Sequence, residues 1–437
     1  MHRIPLIMAV TSDIAGQVRG KGFPSTERDE RLEKGVGWTF TNHMINCWGT
    51  IPATPWGPLG DLVLMPDPST EVEVEFGDGS VAERFMLGSI HHMDGRAWDC
   101  CLRSYLRSAV QELERETGLM LIAAFEHEFH LSGGAQRPGD AYSLDKMRLA
   151  GEFPEALLYA LRAANAEPDT LLPEFGPGQM EITVKPGRGV AAADRAVVVR
   201  QLTQATAHRL GMHASFSPMV TRGAAGNGVH IHMSFRDRQR QPAAYDANEP
   251  YGVSRVMGSF VAGILRRLPE IIGVVAPSAA SYERLKPHAW SSAYNNLGHR
   301  DREAAIRICP VSDVPGAQVA NAFNLEFRAA DAAASPYLQL GILVRAGLEG
   351  IRDALPLPEP TSSDPAALSD AERAARGVFR LPGSLGQALD VLEAARGAHD
   401  LMPGDLFDAY VMHKRGELAA LDGLEMDEIC ARYARVY

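Results

Sequence analysis

The sequence contains few cysteines, and their spacing excludes two common uses of this residue. The five in 437 residues lack the CxxC spacing of a zinc cage or a redox motif: Cys47, Cys100, Cys101, Cys309 and Cys430. An odd total also argues against a disulfide framework. We therefore expect free thiols and a reducing compartment, for which the cytoplasm is the simplest setting.

The chain also lacks a net positive charge and long apolar runs. The formal net charge is -11, so the chain has no basic field to hold nucleic acid or an anionic membrane surface. The best candidate for a membrane span, residues 258–279, is interrupted by Arg266, Arg267 and Pro269. We therefore predict a soluble protein with neither nucleic acid nor membrane among its partners.

The chain changes character near residue 100. Before it, short alternating segments are separated by glycine and proline turns, whereas residues 102–118 predict the first clear amphipathic helix. Leu102, Leu106 and Leu113 share one face of that helix, and Gly118 is a natural end. We place a domain boundary there, which divides the chain into residues 1–100 and 101–437.

Four later segments alternate with the period of a β-strand and carry the same unusual polar face. Their apolar side chains alternate with polar ones at these positions: Glu126, Glu128 and His130; Glu181, Thr183 and Lys185; His230, His232 and Ser234; Asn324, Glu326 and Arg328. A solvated sheet face explains any one of these strands. It does not explain four, because solvated faces seldom carry glutamate and histidine aligned with arginine.

Carboxylates that share a cavity repel one another unless cations neutralise them. Glutamate oxygens with a few imidazoles suit a hard or borderline divalent ion such as Mg²⁺ or Mn²⁺. The Gly-Pro-Gly turn after Glu174 adds one more carboxylate ahead of Glu181. The pattern therefore predicts a metal site on a sheet.

A group of arginines lies near the last of these strands. Arg300, Arg302 and Arg307 are close in sequence, with Arg284 and Arg328 on either side. A solvated surface explains each arginine alone, but beside a metal site guanidinium groups suit phosphates or carboxylates. Metal and arginine together indicate phosphoryl transfer. The Walker and Rossmann glycine motifs are absent, so a nucleotide site would be of another kind.

The ordered blocks FEHEF, EFGPGQMEI, GNGVHIHMS, RLKP with RDREAAIR, and NLEFRAAD with SPYL resemble the glutamine synthetase superfamily, and GDLVLMPDPST does so in the N-terminal part. The resemblance covers essentially the whole chain. It implies an α+β fold with an N-terminal β-grasp domain and a catalytic domain whose antiparallel sheet forms a funnel-shaped site. It also implies a large homo-oligomer, as a dodecamer of two rings with sites shared between subunits.

The resemblance assigns roles residue by residue. It implies one metal held by Glu128, Glu174 and Glu181, and a second, against the ATP phosphates, held by Glu126, His230 and Glu326. Arg302 and Arg307 resemble the arginines that contact ATP and the transferred phosphoryl group, so we expect them, with Glu326, to be catalytic. His232 and Ser234 fall where the family contacts ATP. Arg284 and Arg328 resemble those that hold glutamate, and Gly226 lies in the loop over it. The implied chemistry is phosphorylation of the glutamate side chain to γ-glutamyl phosphate, followed by attack of an amine.

The sequence departs from the family at the ammonium site. Where glutamine synthetases have a glutamate after RLxPG, this chain has Trp290, and residues 34–60 contain no acidic residue to match the aspartate that a neighbouring subunit supplies. Ammonium needs carboxylates for binding and deprotonation. Relatives with this tryptophan resemble γ-glutamylamine ligases. With Phe40, Trp48 and Trp56 as further possible walls, an alkyl or aryl amine is favoured over a polyamine, whose far end needs carboxylates.

Two smaller departures and three alternatives remain. Ala225 replaces an asparagine that touches glutamate, and Asn324 replaces an arginine near the phosphates.

Instead of a ligase for an alkyl or aryl amine, the chain could be a γ-glutamylpolyamine synthetase, an ammonia-using glutamine synthetase or, remotely, a non-catalytic structural homologue. The retained glutamates oppose the last, because a scaffold gains nothing from carboxylates that repel one another.

Overall fold

A computed structural model describes residues 2–312 and 314–437, and its strands form two sheets. The first sheet takes its strands from the N-terminal part: β1 Leu6–Ser12, β2 Val18–Pro24, β3 Val36–Trp38, β4 Leu62–Pro66, β5 Val72–Val74 and β6 Glu83–His92. Their order is β2-β1-β6-β4-β3, with β5 also paired to β6. The apolar segment after Arg3 therefore forms a first strand, as its sequence indicates.

The second sheet takes its strands from the rest of the chain: β7 Met120–Ser132, β8 Pro168–Pro173, β9 Gln179–Val184, β10 Gly187–Arg188, β11 His213–Ser215, β12 Val229–Arg236, β13 Leu297–His299, β14 Ile306–Ile308 and β15 Leu325–Ala330. Their order is β13-β14-β15-β12-β7-β9-β8, and β10 and β11 also pair with β7. All four strands predicted from the alternating pattern are therefore members of one sheet.

That sheet is mixed, whereas the sequence led us to expect an antiparallel one. The strands β13 and β14 pair in parallel, and the remaining neighbours pair antiparallel. A parallel pair usually needs a long crossover. Here each strand spans only about 10 Å, so residues 300–305 suffice to carry the chain back.

Helices surround the two sheets: α1 Arg28–Lys34, α2 Leu102–Thr117, α3 Leu144–Leu149, α4 Phe153–Ala163, α5 Val190–Arg209, α6 Arg255–Val275, α7 Ser281–Arg284, α8 Val319–Ala322, α9 Pro336–Arg352, α10 Asp370–Ala375, α11 Leu385–Ala394, α12 Ala398–Leu401, α13 Gly404–Ala419 and α14 Met426–Ala434. Helix α2 ends at Gly118, whose φ of 72° is left-handed, as predicted. Within residues 2–312 and 314–437, every helix is too short or too polar to cross a lipid bilayer.

Ser335 connects the start of α9 to the first sheet. Ser335 and Pro336 occupy the cap and first-turn positions, but the Ser335 side chain does not cap the helix. Its hydroxyl instead accepts a hydrogen bond from Ser12 in β1 at 3.0 Å. The residue therefore ties the first sheet to the helical layer.

The central strand β7 separates core from site. Phe125 and Phe129 are buried on one face, where Phe129 packs against Phe153 and Phe216. The helices α2 and α5 contact this strand. Alternate side chains on the opposite face are only partly buried, because that face lines the candidate site.

Candidate active site

The strand register brings the predicted polar residues opposite one another. Antiparallel pairing sets His230 across from Glu126, and Glu128 across from Glu181. On the other side of β12, His232 lies opposite Glu326. Residues directly opposite in neighbouring strands are about 5 Å apart and point to the same face. Residues from four strands therefore meet over one surface of the sheet.

One group consists of carboxylates alone. Oxygens of Glu128, Glu174 and Glu181 lie within 4.8 Å of one another. Burial, and then the charges of Glu126 and Glu128, raise the pKa of Glu181 to about 10. Three such carboxylates are stable together in ionised form only beside a cation, and an all-oxygen donor set suits a hard divalent ion. The group therefore fits the first predicted metal.

The second group combines carboxylates with imidazoles. The Nδ1 atom of His230 lies 2.8 Å from Glu126 Oε1 and 3.4 Å from Glu326 Oε1, so the predicted trio lies together. Two overlapping donor sets also occur, one adding Glu181 to Glu126 and His230, the other joining His232 to Glu126 and Glu326. The two predicted metal positions are therefore contiguous and share donors.

Hydrogen bonds hold Glu126 in its ionised form. Burial opposes ionisation, but hydrogen bonds from His230 and His232 outweigh it and keep the pKa of Glu126 well below its usual value. His232 is oriented in turn by Asn324, whose Oδ1 lies 2.8 Å from its Nδ1. Its Nε2 lies 3.4 Å from Glu126 Oε2. His232 thus belongs to the metal-ligating group as well as to the predicted ATP contact.

The arginines divide into buried and exposed members. Arg307 and Arg328 both donate to the fully buried carboxylate of Glu326. Arg302 is exposed, and its backbone carbonyl accepts from Arg328 Nε at 2.9 Å. Arg307 and Arg328 therefore lie at the metal groups, whereas Arg302 lies at the rim, where a side chain can reach a ligand from solution.

Arg284 joins the end of β15 to the loop that follows α7. It donates to the Ala330 carbonyl at 2.7 Å and to Ser291 Oγ at 3.1 Å. A Cβ atom added to Gly226 would stand 2.7 Å from Arg284 Cγ, so glycine is required there for close approach. Among the described residues, Arg284 Nε has no hydrogen-bond partner. One buried guanidinium N–H thus remains available to an anion.

Trp290 lies in the loop whose ends Arg284 and Ser291 form. Its side chain is 66% exposed, so it does not pack in the core of the chain. The other aromatic residues proposed as walls have their own partners in the chain: Trp48 packs against Tyr433, while Phe40 and Trp56 pack with Trp98. Of the four aromatic residues proposed as walls, Trp290 is therefore the one whose side chain is exposed.

Ser234 and several neighbours complete the site. The Ser234 hydroxyl donates to the Phe323 carbonyl at 2.8 Å.

Sequence reasoning missed Lys146, whose Nζ donates to the carbonyl of Gly176 and so braces the turn that carries Glu174. It also missed Tyr142, whose pKa is raised to about 12 by burial and then by Glu174. Neither residue belongs to an alternating strand, so no periodic signal pointed to them.

Comparison with protein-family models accounts for nearly the whole chain. A model described as "Glutamine synthetase N-terminal domain" matches residues 1–98, and one described as "Glutamine synthetase, catalytic domain" matches residues 99–432. The gamma-glutamylpolyamine synthetase of Streptomyces coelicolor is 33% identical over 97% of this chain and 92% of its own length. The glutamine synthetase of Pyrococcus woesei is 27% identical over 94% of this chain and 90% of its own length.

Solved structures share the architecture. A crystal structure of a "novel glutamine synthase homolog" superimposes with a TM-score of 0.93 at 41% identity, covering 100% of this chain and 99% of the other. A structure described as "GmaS/ADP complex-Conformation 1" gives a TM-score of 0.81 at 22% identity, covering 97% and 95%, a likeness of fold alone. The predicted α+β fold, with its N-terminal and C-terminal catalytic domains, is confirmed.

Proposed function

Because this chain belongs to the glutamine synthetase family of ATP-dependent ligases, we propose that it joins the γ-carboxylate of glutamate to an organic primary amine. The amine is alkyl or aryl, and γ-glutamyl phosphate is the intermediate. A carboxylate does not react with an amine until one of its oxygens becomes a leaving group, and ATP supplies that activation.

The observation that carries this proposal is the position of Trp290. Arg284 links the loop of Trp290 to the end of β15, and its guanidinium group lies near Gly228 beside the side chains of Glu128 and His230. A glutamine synthetase needs a carboxylate here, because ammonium must be bound as a cation and then deprotonated. An exposed indole provides an apolar surface instead, which suits the hydrocarbon part of a larger amine.

The metal groups fit divalent ions. Glu128, Glu174 and Glu181 would hold one Mg²⁺ or Mn²⁺, and Glu126, His230 and Glu326 would hold another, with His232 within reach of the second. Such ions, when bound, neutralise charge on phosphate oxygens. The protein's own part is to hold these carboxylates close together through the strand pairing, and to keep Glu126 ionised through its hydrogen bonds with histidine.

The remaining predicted residues would position the substrates. Arg302 and Arg307 would contact the phosphates of ATP, with His232 and Ser234 also on its side of the site. Arg284 and Arg328 would bind the carboxylates of glutamate, for which the free Nε of Arg284 is suited. Gly226 allows the backbone to approach closely at the same place. These assignments rest on geometry and family resemblance.

The experiment is amine-dependent phosphate release from ATP in the presence of glutamate and Mg²⁺. One panel compares ammonium, putrescine, spermidine, methylamine, butylamine and aniline at equal concentrations of the unprotonated form. We expect the highest kcat/KM with an apolar monoamine and little release with ammonium. Release with ammonium alone would refute the proposal and identify a glutamine synthetase with an unusual ammonium site.

A γ-glutamylpolyamine synthetase is the second candidate, favoured by one specific observation. The relative of 33% identity carries that name, whereas the glutamine synthetase compared with it reaches 27%. A polyamine needs a carboxylate at its far end in addition to an apolar wall. The same panel distinguishes the two, because this candidate predicts a higher kcat/KM for putrescine or spermidine than for butylamine.

The proposal extends to the domains, the oligomeric state and the cellular setting. We propose an N-terminal β-grasp domain over residues 1–100 and a catalytic domain over residues 101–437. We also propose a homo-oligomer, as a dodecamer in which the N-terminal domain of a neighbouring subunit completes the amine site. Cytoplasmic amine catabolism is the setting that glutamate, ATP and a reduced set of cysteines support.

A further inference from the structure

The loop that carries Trp290 is tied at its middle as well as at its ends. His288 Nε2 lies 2.8 Å from Asp364 Oδ2, and the His288 backbone N–H donates to Glu303 Oε2 at 3.2 Å. Asp364 belongs to the proline-rich segment before α10, far from the loop in sequence. Two segments that are distant from each other in sequence thus meet at His288 of this loop.

The backbone of the loop needs such ties. His288 has a φ of 60° and Trp290 a φ of 52°, both in the left-handed region that favours glycine. Non-glycine residues remain in that region when surrounding contacts fix them there. For Trp290, whose side chain is 66% exposed, side-chain packing supplies little of that constraint. The contacts of His288, two residues before Trp290, supply such a constraint to the loop.

The charges around His288 favour its protonated form. Its imidazole faces Asp364 and Glu303, and the surface groove that it lines also contains Asp301, Arg300 and His299. The nearby Lys286 pairs with Glu283. The hydrogen bond and charge of Asp364 raise the pKa of His288 above its usual value. The ion pair is therefore present at lower pH and is lost as the pH rises through the pKa of His288.

We propose that His288 and Asp364 are positioning residues whose ion pair holds the Trp290 loop in place at the amine site. The inference rests on the proposed function for its effect on catalysis, but the tie itself is a property of the loop. Breaking the pair releases the loop, raises KM for the amine and leaves KM for ATP and for glutamate unchanged. An exposed pair supports an effect of about two- to fivefold.

The test uses the full-length protein and compares Asp364→Asn with Asp370→Asn. Asparagine keeps the Oδ1 atom that accepts from the Ala366 backbone at 2.8 Å, so the local turn is retained. Asp370 is a matched control, because it is an ion-paired carboxylate of the same region whose side chain is 97% exposed. His288→Asn tests the other partner, since asparagine tolerates a left-handed backbone.

The first measurement is hydrogen exchange of the backbone amides in residues 286–291, corrected for the intrinsic rate at each pH. We expect about two- to fivefold faster exchange in Asp364→Asn and His288→Asn than in wild type or Asp370→Asn. Wild type should lose this protection as the pH rises through the pKa of His288, and Asp364→Asn should show no such step. Unchanged exchange in Asp364→Asn would refute the tie.

The second measurement is KM for the best monoamine of the panel, which has no second ammonium group to contact Asp364. A higher KM for the amine alone, in both partner variants, supports the positioning role. A freed loop with unaltered KM for the amine would overturn that role. If wild type uses no amine, the proposed function fails and the catalytic role with it, whereas hydrogen exchange still decides whether the pair holds the loop.

Discussion

Glu181 is the residue whose charge state depends most on what the site contains. Its carboxyl group is buried against Glu126 and Glu128, and burial, then those charges, raise its pKa to about 10. The folded protein thus keeps a proton that the unfolded chain releases near its ordinary pKa. Stability without metal should therefore fall as the pH rises from about 6 to about 9, a window between the two pKa values.

The thermal midpoint of chelator-treated protein, followed across that pH range, checks this expectation. Addition of Mg²⁺ should raise the midpoint most at the high end of the range, where the carboxylates are ionised. In Glu181→Gln the metal-free protein should be more stable than wild type by on the order of 1 kcal/mol, and its response to Mg²⁺ should be weak. If the thermal midpoint of metal-free Glu181→Gln varied with pH as strongly as that of wild type, the raised pKa would not belong to Glu181.

Trp290 decides which nucleophile is used. In Trp290→Glu, a carboxylate replaces the apolar surface, so kcat/KM for the organic amine should fall about tenfold or more, the equivalent of roughly 1.4 kcal/mol. Ammonium-dependent phosphate release should increase in the same variant, because a charge for binding and deprotonation is restored. Trp290→Phe is the control and should keep most of the activity. Equal use of the organic amine by the glutamate variant would show that the amine binds elsewhere.

At the scale of elements, strand β7 carries two independent functions on its two faces. Phe129→Ala removes a fully buried ring that packs against Phe153 and Phe216, and should lower the free energy of unfolding by about 3 to 5 kcal/mol. Glu128→Gln, one residue away, should abolish metal-dependent phosphate release with little loss of stability. Denaturant unfolding and the phosphate assay, applied to both variants, separate the two faces. An equally destabilised Glu128→Gln would mean that this carboxylate is structural.

The same alternation explains how much of the site the sequence predicted. Period-two patterns identified the strands that carry Glu126, Glu181, His230 and Glu326, because each strand alternates apolar side chains with the polar ones that meet at the site. The pattern does not specify which strands are neighbours, so the parallel pair of β13 and β14 was missed.

Contacts made from loops and helices were missed for a different reason. Lys146 braces the Glu174 turn from α3, and Asp364 meets His288 across a long stretch of chain. Each is a single polar residue whose partner is distant in sequence, and a lone polar residue outside a periodic pattern resembles an ordinary surface residue. Family resemblance predicted which residues would bind the metals. The supporting residues reach them only in the folded chain, so the resemblance did not point to them.

At the scale of the whole molecule, the last helices join the N-terminal part. Tyr437 is fully buried, donates to the Ala15 carbonyl at 2.8 Å and lies under the guanidinium group of Arg200, 5.3 Å from its ring centroid. Gln17 donates to the Val436 carbonyl at 3.2 Å. These contacts link the turn between β1 and β2 directly to the residues that follow α14, so the two parts of the chain should unfold together.

Tyr437 tests that coupling. Tyr437→Ala should lower the free energy of unfolding by about 3 kcal/mol and should affect both parts. The same earlier transition should appear in tryptophan fluorescence, which reports chiefly residues 38–98, and in far-ultraviolet circular dichroism, which reports chiefly the helices of the C-terminal part. Tyr437→Phe keeps the ring and loses only the hydrogen bond to Ala15, at a cost of about 1 kcal/mol. Denaturant titration followed by tryptophan fluorescence measures the free energy of unfolding of both variants. Two well-separated transitions in wild type would show that the parts unfold independently.

The strict alternation along β7 has a consequence for which genetic changes the molecule can tolerate. Deleting or inserting one residue between Leu121 and Glu126 would slide the rest of the strand by one position, which exchanges its faces. Glutamates would enter the aromatic core and phenylalanines the cavity, although no residue type had been lost. In a library of in-frame indels, β7 should therefore be far less tolerant than the 355–369 segment, even where single substitutions in both are accepted.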